Sequence, residues 1–277
     1  MKIKFLGTAA AEAVPAPFCE CDVCEYARKH KGRNIRTRPQ AIVDEKILID
    51  FGPDTMMHTI NEDIKLCKLS ACIITHPHMD HLFPGDLFCR VGGVAHMKEE
   101  KPFVMYGMKE TIDTLYEKGE YTEYLIKEGK LILNEIKEFV PFEVDGYNIT
   151  PLKADHSTKE PVIYMIEKDN KALLYANDTG LFPDETYEYL EKIDTVFDVV
   201  SYDCTNVLLE WDNARHMGLN GNVIVRDKLQ KMGRINDKTI HVVTHFSHNG
   251  LAGYDDLVPI AEEKGFIVAF DGMETEF

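Results

Sequence analysis

"SACIITHPHMDH", residues 70–81, sets three histidines and an aspartate directly after a short apolar run. The apolar half, "ACIIT", is short and β-branched, the pattern of a central strand buried on both faces. The polar half then falls at a strand end, where a chain leaving a sheet presents side chains to a shared edge. A polar loop that happens to be His-rich would need no partners. A metal reading does need them, because His76, His78, Asp80 and His81 cannot surround an ion unaided.

The partners recur down the chain. His156 follows "NITPLKAD", Asp178 follows "KALLYAN" and His245 follows "TIHVVT", each just past an apolar run. A lone histidine at such a position is ordinarily a satisfied polar residue, whereas several converging segments describe a site assembled from distant sequence. Histidine with carboxylate suits Zn, Mn or Fe(II), and a thiolate-rich set would indicate structural zinc or iron–sulfur. Two cations bridged by one carboxylate about 3.5–4 Å apart lower the pKa of a shared water and clamp an oxyanion. That combination suits hydrolysis of a phosphoester, an amide or a thioester.

The rest of the 277 residues read as a mixed α/β chain. Strands are expected at 2–6, at 41–50 as a hairpin turning at "DEK", at 71–75 and at 102–107. A helix over 108–119 places Ile112, Leu115 and Tyr116 on one face, and "LFPGDLFCRVGGVAHM" reads as a short helix weakened by its glycines. From 131 onward come "LILNEI", "NITPLKA", "PVIYMIEK" and "KALLYAND", the last two joined by a "KDNK" hairpin. A helix near 184–191, strand "VFDVVSYD", a helix near 222–232, strand "TIHVVTH", a helical stretch over 252–263 interrupted by Pro259, and strand "FIVAF" complete the pattern. Two packed mixed sheets with helices on their outer faces satisfy it, in a single domain spanning 1–277.

Composition narrows the function. Hydrophobic residues make up 44%, enough for a sizeable core, and no apolar run approaches the ~20 residues of a membrane span. "MKIKFLG" lacks the features of a signal peptide, so a cytoplasmic protein without a membrane partner is expected. The net charge of −16 disfavours a long nucleic acid, while "RKHKGRNIRTR" at 28–38 leaves room for a small phosphorylated ligand. A homodimer is compatible with these features. Of seven cysteines, Cys67, Cys72, Cys89 and Cys204 read as buried thiols. Cys19, Cys21 and Cys24 cluster in "CECDVC" and can wrap one face of a tetrahedral zinc. Candidates for the fourth ligand are His30, His248 and the scattered cysteines.

"THPHMDH" resembles the H-x-H-x-D-H signature of the metallo-β-lactamase superfamily, and the later His, Asp and His come in the superfamily's order. The resemblance covers nearly the whole chain and implies an αββα sandwich of two mixed sheets flanked by helices. It implies that His76, His78 and His156 hold one divalent metal (Zn, Mn, Fe or Ni), that Asp178 bridges, and that Asp80, His81 and His245 complete the second site. Within the superfamily, "VPAPFCECDVC", "THFSH" and the terminal "FDGME" resemble the PhnP-like branch, the phosphoribosyl cyclic phosphodiesterases. That branch implies a structural zinc on a loop at 19–24, held by Cys19, Cys21, Cys24 and His248, and hydrolysis of a small cyclic or nucleotide-like phosphodiester. The cysteine loop is also similar to PqqB-like proteins, which admits a non-catalytic accessory or binding role. A same-fold lactonase, thioesterase or amidase is the other alternative.

A phosphodiesterase must protonate its leaving alkoxide, and histidine is suited to that task. His216, in "NARHMGLNG", is the only histidine between Asp178 and His241. By resemblance to PhnP-like and tRNase Z-like enzymes it acts with Asp80 as the catalytic pair. His241 and Tyr147 read as structural. Asp198 and Asp203 are weaker candidates that orient a ligand. The long basic arm by which tRNase Z grips tRNA has no obvious counterpart: the insert at 108–131 mixes six acidic with four basic residues.

Overall fold

The computed structural model describes residues 1–209 and 215–277. Among these, β1 (Lys2–Gly7), β2 (Gln40–Val43), β3 (Ile47–Ile49), β4 (Ala71–Ile73), β5 (Phe103–Gly107) and β6 (Leu131–Glu135) build most of one sheet. A second contains β7 (Phe142–Val144), β8 (Tyr147–Lys153), β9 (Val162–Lys168), β10 (Lys171–Ala176), β11 (Val199–Asp203), β12 (Ile240–Thr244) and β13 (Ile267–Val268). Strand β14 (Met273–Glu276) joins the first sheet beside β1. The orders are β14-β1-β2-β3-β4-β5-β6 and β13-β12-β11-β10-β9-β8-β7. Both sheets are mixed: antiparallel pairings from β14 to β3 and from β7 to β10 give way to parallel ones across the remainder.

Strand periodicity explains the layers. Ile47, Ile49 and Ile73 point between the sheets and pack with Ile149, Tyr164, Leu173, Val199 and Val242 of the second sheet. Their neighbours Leu48 and Cys72 point outward, onto Leu115 of α3 (Lys109–Lys118) and Leu125 of α4 (Thr122–Lys127). On the far side, Leu152, Leu174 and Val243 pack under α5 (Asp184–Lys192), α6 (Leu219–Lys231) and α7 (Tyr254–Glu263), through Leu190, Leu229 and Leu257. The architecture is an αββα sandwich. Strands buried on both faces account for the near-continuous apolar runs.

The two expected hairpins are tight turns. Asp44 and Glu45, and likewise Asp169 and Asn170, take positive φ between 49° and 61°, the conformation whose twist matches the flanking strands and which Asp and Asn tolerate. Pro259 lies inside α7. Having no N–H, it leaves without its helical bond the carbonyl of Asp255, an exposed residue in the first turn.

Several expectations are corrected. α1 (Asp22–His30) takes in Cys24, so the cysteine segment is half loop and half helix, and Arg28, Lys29 and His30 occupy its last turn. There they complement the helix dipole. His30 stacks on Tyr26, with ring centroids 4.0 Å apart, and is no fourth ligand to the cysteines. α2 (Thr55–Asn61) was not expected, and the weak helix after "THPHMDH" is a 3-10 stretch at Pro84–Arg90. Cys72 and Cys204 are buried as expected, but Cys67 and Cys89 are exposed. Among the described residues, no helix is long and apolar enough to cross a membrane.

Candidate active site

Asp50, His76, Asp178, Asp203 and His245 all sit at or just past the ends of sheet strands, as the sequence pattern requires. Asp50, Asp178 and His245 have φ of 69°, 54° and 64°. This left-handed turn re-aims each side chain as the backbone leaves the sheet, and Asp and His accept it more readily than most residues. Gly52 lets the loop after β3 approach the motif: a Cβ there would lie 2.0 Å from the carbonyl oxygen of Asp80. Any side chain would push the two segments apart.

One set of donors is three imidazoles. His78 Nδ1 lies 3.0 Å from His76 Nε2 and 3.1 Å from His156 Nε2. Thr75 gives its hydroxyl hydrogen to Asp50, so its oxygen accepts from His76 Nδ1 at 3.1 Å, and His76 turns a bare Nε2 inward. Burial, reinforced at His76 by His81, holds its pKa well below the ordinary value, and burial likewise lowers His78 and His156. Three imidazole nitrogens brought together in this way form a basic pocket suited to a cation.

The second set is Asp80, His81, Asp178 and His245, all buried and with ligating atoms within 4.8 Å of one another. Asp178 Oδ2 is 2.5 Å from His81 Nε2, 3.3 Å from His245 Nε2 and 3.5 Å from His76 Nε2, so it touches both sets. Asp80 Oδ2 lies 3.2 Å from His81 Nε2. Burial opposes charge on His81, but Asp80, Asp50 and Asp178 outweigh it and raise its pKa well above normal. Asp178 is held well below the carboxylate range, burial being overcome by His245 and His81. Binding of a metal releases protons from imidazoles held in this way. His81 Nε2, His245 Nε2 and Asp178 Oδ1 are buried without a hydrogen-bond partner. Orphaned polar atoms of this kind are costly unless something coordinates them. The residues fit divalent metal ions.

The outer nitrogens are held by acceptors, which fixes ring orientation. His81 Nδ1 donates to Asp50 Oδ2 at 2.7 Å, and Asp50 also accepts from the Thr75 amide at 2.8 Å. His245 Nδ1 donates to Thr205 Oγ1 at 2.7 Å, whose hydroxyl donates to Asp203 Oδ2 at 2.8 Å. Asp50 is a supporting residue that sequence reasoning missed. Its signal was the post-strand position in "ILID", shared with Asp203 in "VVSYD".

His216 adjoins both sets. Its Nδ1 is 3.1 Å from Asp203 Oδ2 and 3.2 Å from Asp178 Oδ1. Its ring is stacked 5.8 Å from that of His245 and lies 4.9 Å from that of His156. The expected coupling to Asp80 is corrected: the carboxylates against His216 are Asp203 and Asp178, while Asp80 faces His81. Burial disfavours the imidazolium, yet Asp203 and then Asp178 raise its pKa to about 9. Of "NARHMGLNG", Asn213 and Ala214 lie outside the described residues.

Tyr147 and His241 are structural, as expected. The Tyr147 hydroxyl donates to Asp44 at 2.7 Å, and His241 Nδ1 lies 2.9 Å from the Tyr202 hydroxyl. At the other end of the chain, Cys19, Cys21, Cys24 and His248 form a further group. His248 Nδ1 lies 3.5 Å from Cys19 Sγ and 3.4 Å from Cys21 Sγ. The amides of Cys21 and Ala16 donate to the sulfurs of Cys19 and Cys24, and Arg28 braces the segment through the carbonyls of Cys19 and Ala16.

Two adjoining ligand sets sharing Asp178, at one edge of an αββα sandwich, are compatible with a binuclear metallo-hydrolase centre. The chain belongs to the β-lactamase superfamily, whose domain model matches residues 45–246. It is 30% identical to ribonuclease Z of Listeria monocytogenes serotype 4a over 207 residues, covering 71% of this chain and 60% of that protein. The chain thus spans less than two thirds of the length of the ribonucleases it matches first. In fold it is similar to a diphosphatase from the PhnP family, with a TM-score of 0.72 and 23% identity over 100% of this chain and 98% of that one. It is also similar to Zn-bound PqqB from Methylobacterium extorquens, with a TM-score of 0.71 and 20% identity over the whole of both chains.

Proposed function

We propose that this chain is a one-domain, metal-dependent phosphodiesterase acting on a small cyclic or nucleotide-like phosphodiester. His76, His78, His156 and Asp178 would hold one divalent ion, and Asp80, His81, His245 and Asp178 the other. Bound there, such ions supply a water acidic enough to attack near neutral pH and a Lewis acid for a phosphoryl oxygen. The chain's own residues do the rest. Asp50 and the Thr205–Asp203 pair keep His81 and His245 aimed inward. His216, its Nδ1–H given to Asp203, presents its other edge to the leaving oxygen and protonates it.

The observation that carries this reading is His216 itself: an imidazole beside both ligand sets, backed by Asp203 at 3.1 Å. A thioester or activated lactone expels a stable anion and gains little from a positioned acid, whereas an alkyl phosphodiester depends on one. The test is hydrolysis of bis(p-nitrophenyl) phosphate against lactone and thioester panels, before and after chelation and metal return. Turnover of lactones or thioesters alone would remove the phosphodiesterase reading. No turnover of any class would favour a PqqB-like binding role.

The match to ribonuclease Z supports a second reading, in which the same chemistry cleaves RNA. The net charge of −16 weighs against a long polyanion. Cleavage of a precursor tRNA faster than of small diesters would decide for it. We further propose that Cys19, Cys21, Cys24 and His248 hold a structural zinc, which would tie the N-terminal segment to the loop after β12.

A further inference from the structure

The loop between β3 and α2 braces the second ligand set. Asp50 accepts from His81 Nδ1 at 2.7 Å, the Phe51 amide donates to the His81 carbonyl at 2.8 Å, and Gly52 abuts the Asp80 carbonyl. Whatever fixes residues 50–52 therefore fixes Asp80 and His81. The first set leans on this loop less. Among the described residues, 50–52 make no hydrogen bond to His78 or His156, and the link to His76 runs through the Thr75 hydroxyl.

Gln40, at the start of β2, is buried and reaches the loop at two points. Its Nε2 donates to the Asp50 carbonyl at 2.9 Å and to the Thr55 hydroxyl at 2.8 Å. Thr55 in turn donates to the Gly52 carbonyl at 2.7 Å. One amide nitrogen thus clasps the first residue of the loop and the first residue of the helix that follows. Both hydrogens of Nε2 are committed, so Oε1 accepts, and it meets His58 Nδ1 at 2.6 Å. The Thr37 hydroxyl lies 2.7 Å from the other ring nitrogen and holds the imidazole in place. The His58 N–H makes the amide point one way: reversed, it would set N–H against N–H and oxygen against the Asp50 carbonyl.

We infer that Gln40 is a positioning residue for the second ligand set, acting through the loop at 50–52, and that His58 sets the direction of its amide. The inference rests on the metal-binding part of the proposed function and is independent of the substrate. Neither Gln40 nor His58 belongs to a ligand set. Groups that orient metal ligands from outside contribute about 10–100-fold to affinity. Gln40 acts one step further out, so the low end of that range, about tenfold, is expected.

The test uses the full chain, stripped by chelator and titrated with Mn(II), which suits histidine and carboxylate better than thiolate. Free Mn(II) is read by EPR. The wild type should take up two ions. Gln40→Met, similar in size but without the amide, should bind one of them about tenfold more weakly and leave the other little changed. Arg38 still holds Asp54, through its amide at 2.9 Å and its guanidinium at 3.0 Å, so α2 stays docked. His58→Leu should reproduce the defect, while His58→Asn, whose side-chain N–H stands in for Nδ1–H, should not. Leu229→Ala, in the core beneath α6, controls for lost stability alone. NMR of the metal-free proteins gives a second readout. The His81 Nδ1 proton, held against Asp50, should shift in Gln40→Met, and the His245 Nδ1 proton, held against Thr205, should not. Unaltered Mn(II) affinities with an unmoved His81 proton overturn the inference. So does equal weakening of both ions in Gln40→Met and in Leu229→Ala, the mark of a merely structural effect. A wild type that takes up no Mn(II) overturns the metal reading, and the His81 proton then decides the positioning by itself. If Gln40→Met does not fold, equal affinities in the two His58 variants overturn the inference.

Discussion

Replacing His216 with alanine separates acid catalysis from metal ligation. In the fold, His216 Nδ1 contacts Asp203, Asp178 and Thr205. Asp203 keeps three donors without it: the Met217 amide at 2.7 Å, the Thr205 hydroxyl at 2.8 Å and the Thr205 amide at 3.2 Å. A carboxylate still so bonded is not left bare, so the variant should fold with a loss on the order of 1 kcal/mol. Both ligand sets also survive, since neither needs His216. The rate is a different matter. A positioned proton donor contributes ~10²–10⁴-fold, equivalent to roughly 3–5 kcal/mol of barrier. His216→Ala should lose that factor on a diester with an alkyl leaving group. On bis(p-nitrophenyl) phosphate the loss should be much smaller, because p-nitrophenolate departs without protonation. Steady-state rates on both substrates, with metal analysis of the same samples, measure the contrast. Equal losses on both substrates at full metal content would refute acid catalysis and indicate phosphate binding. Loss of metal would make His216 a ligand, an arrangement its grouping with Asp178, Asp203 and His245 allows.

Asp178→Ala should abolish turnover and lower occupancy at both positions, since Asp178 touches both ligand sets. Full metal content with activity retained would place the bridge elsewhere. Cys21→Ser should lower total metal by about one ion per chain and lower thermal stability, because metal binding energy is folding energy; unchanged metal would remove the structural zinc. His58 is buried between Gln40 at 2.6 Å and Thr37 at 2.7 Å, and burial, against weaker pulls from Asp54 and Glu62, lowers its pKa to about 4. A folded pKa below the unfolded value of about 6.5 gives stability that is present above pH 6.5 and is lost as pH falls towards 4. The drop of about 2.5 pH units is worth about 3 kcal/mol across that window. Urea midpoints should therefore fall less steeply with acid in His58→Gln than in the wild type, and parallel slopes would contradict the assignment.

Much of this was legible because chemistry and fold share one signal. A run such as "ACIIT" or "KALLYAN" reads as a buried strand, and the first polar residues past it lie at the sheet edge where a site assembles. His76, His156, Asp178 and His245 all follow that rule. Short elements escaped: α2 and α4 span too few residues to display a period, and tertiary packing, not propensity, makes them helical. The helix over Asp22–His30 was hidden because Cys24, read together with Cys19 and Cys21, draws the reading towards a loop. The partner of His216 was misplaced for a different reason. Asp80 comes from the resemblance, whereas Asp203 stands only 13 residues before His216 and is held to it with the Met217 amide pinned to Asp203 Oδ1 at 2.7 Å. Contacts of that kind form in irregular backbone, which shows no period for a sequence pattern to reveal.

Anomalous diffraction from crystals of protein purified without chelator tests the binuclear centre most directly. A shared Asp178 requires two transition-metal peaks flanking its carboxylate, one against His76, His78 and His156 and the other against Asp80, His81 and His245. A single peak, or peaks away from Asp178, would contradict it.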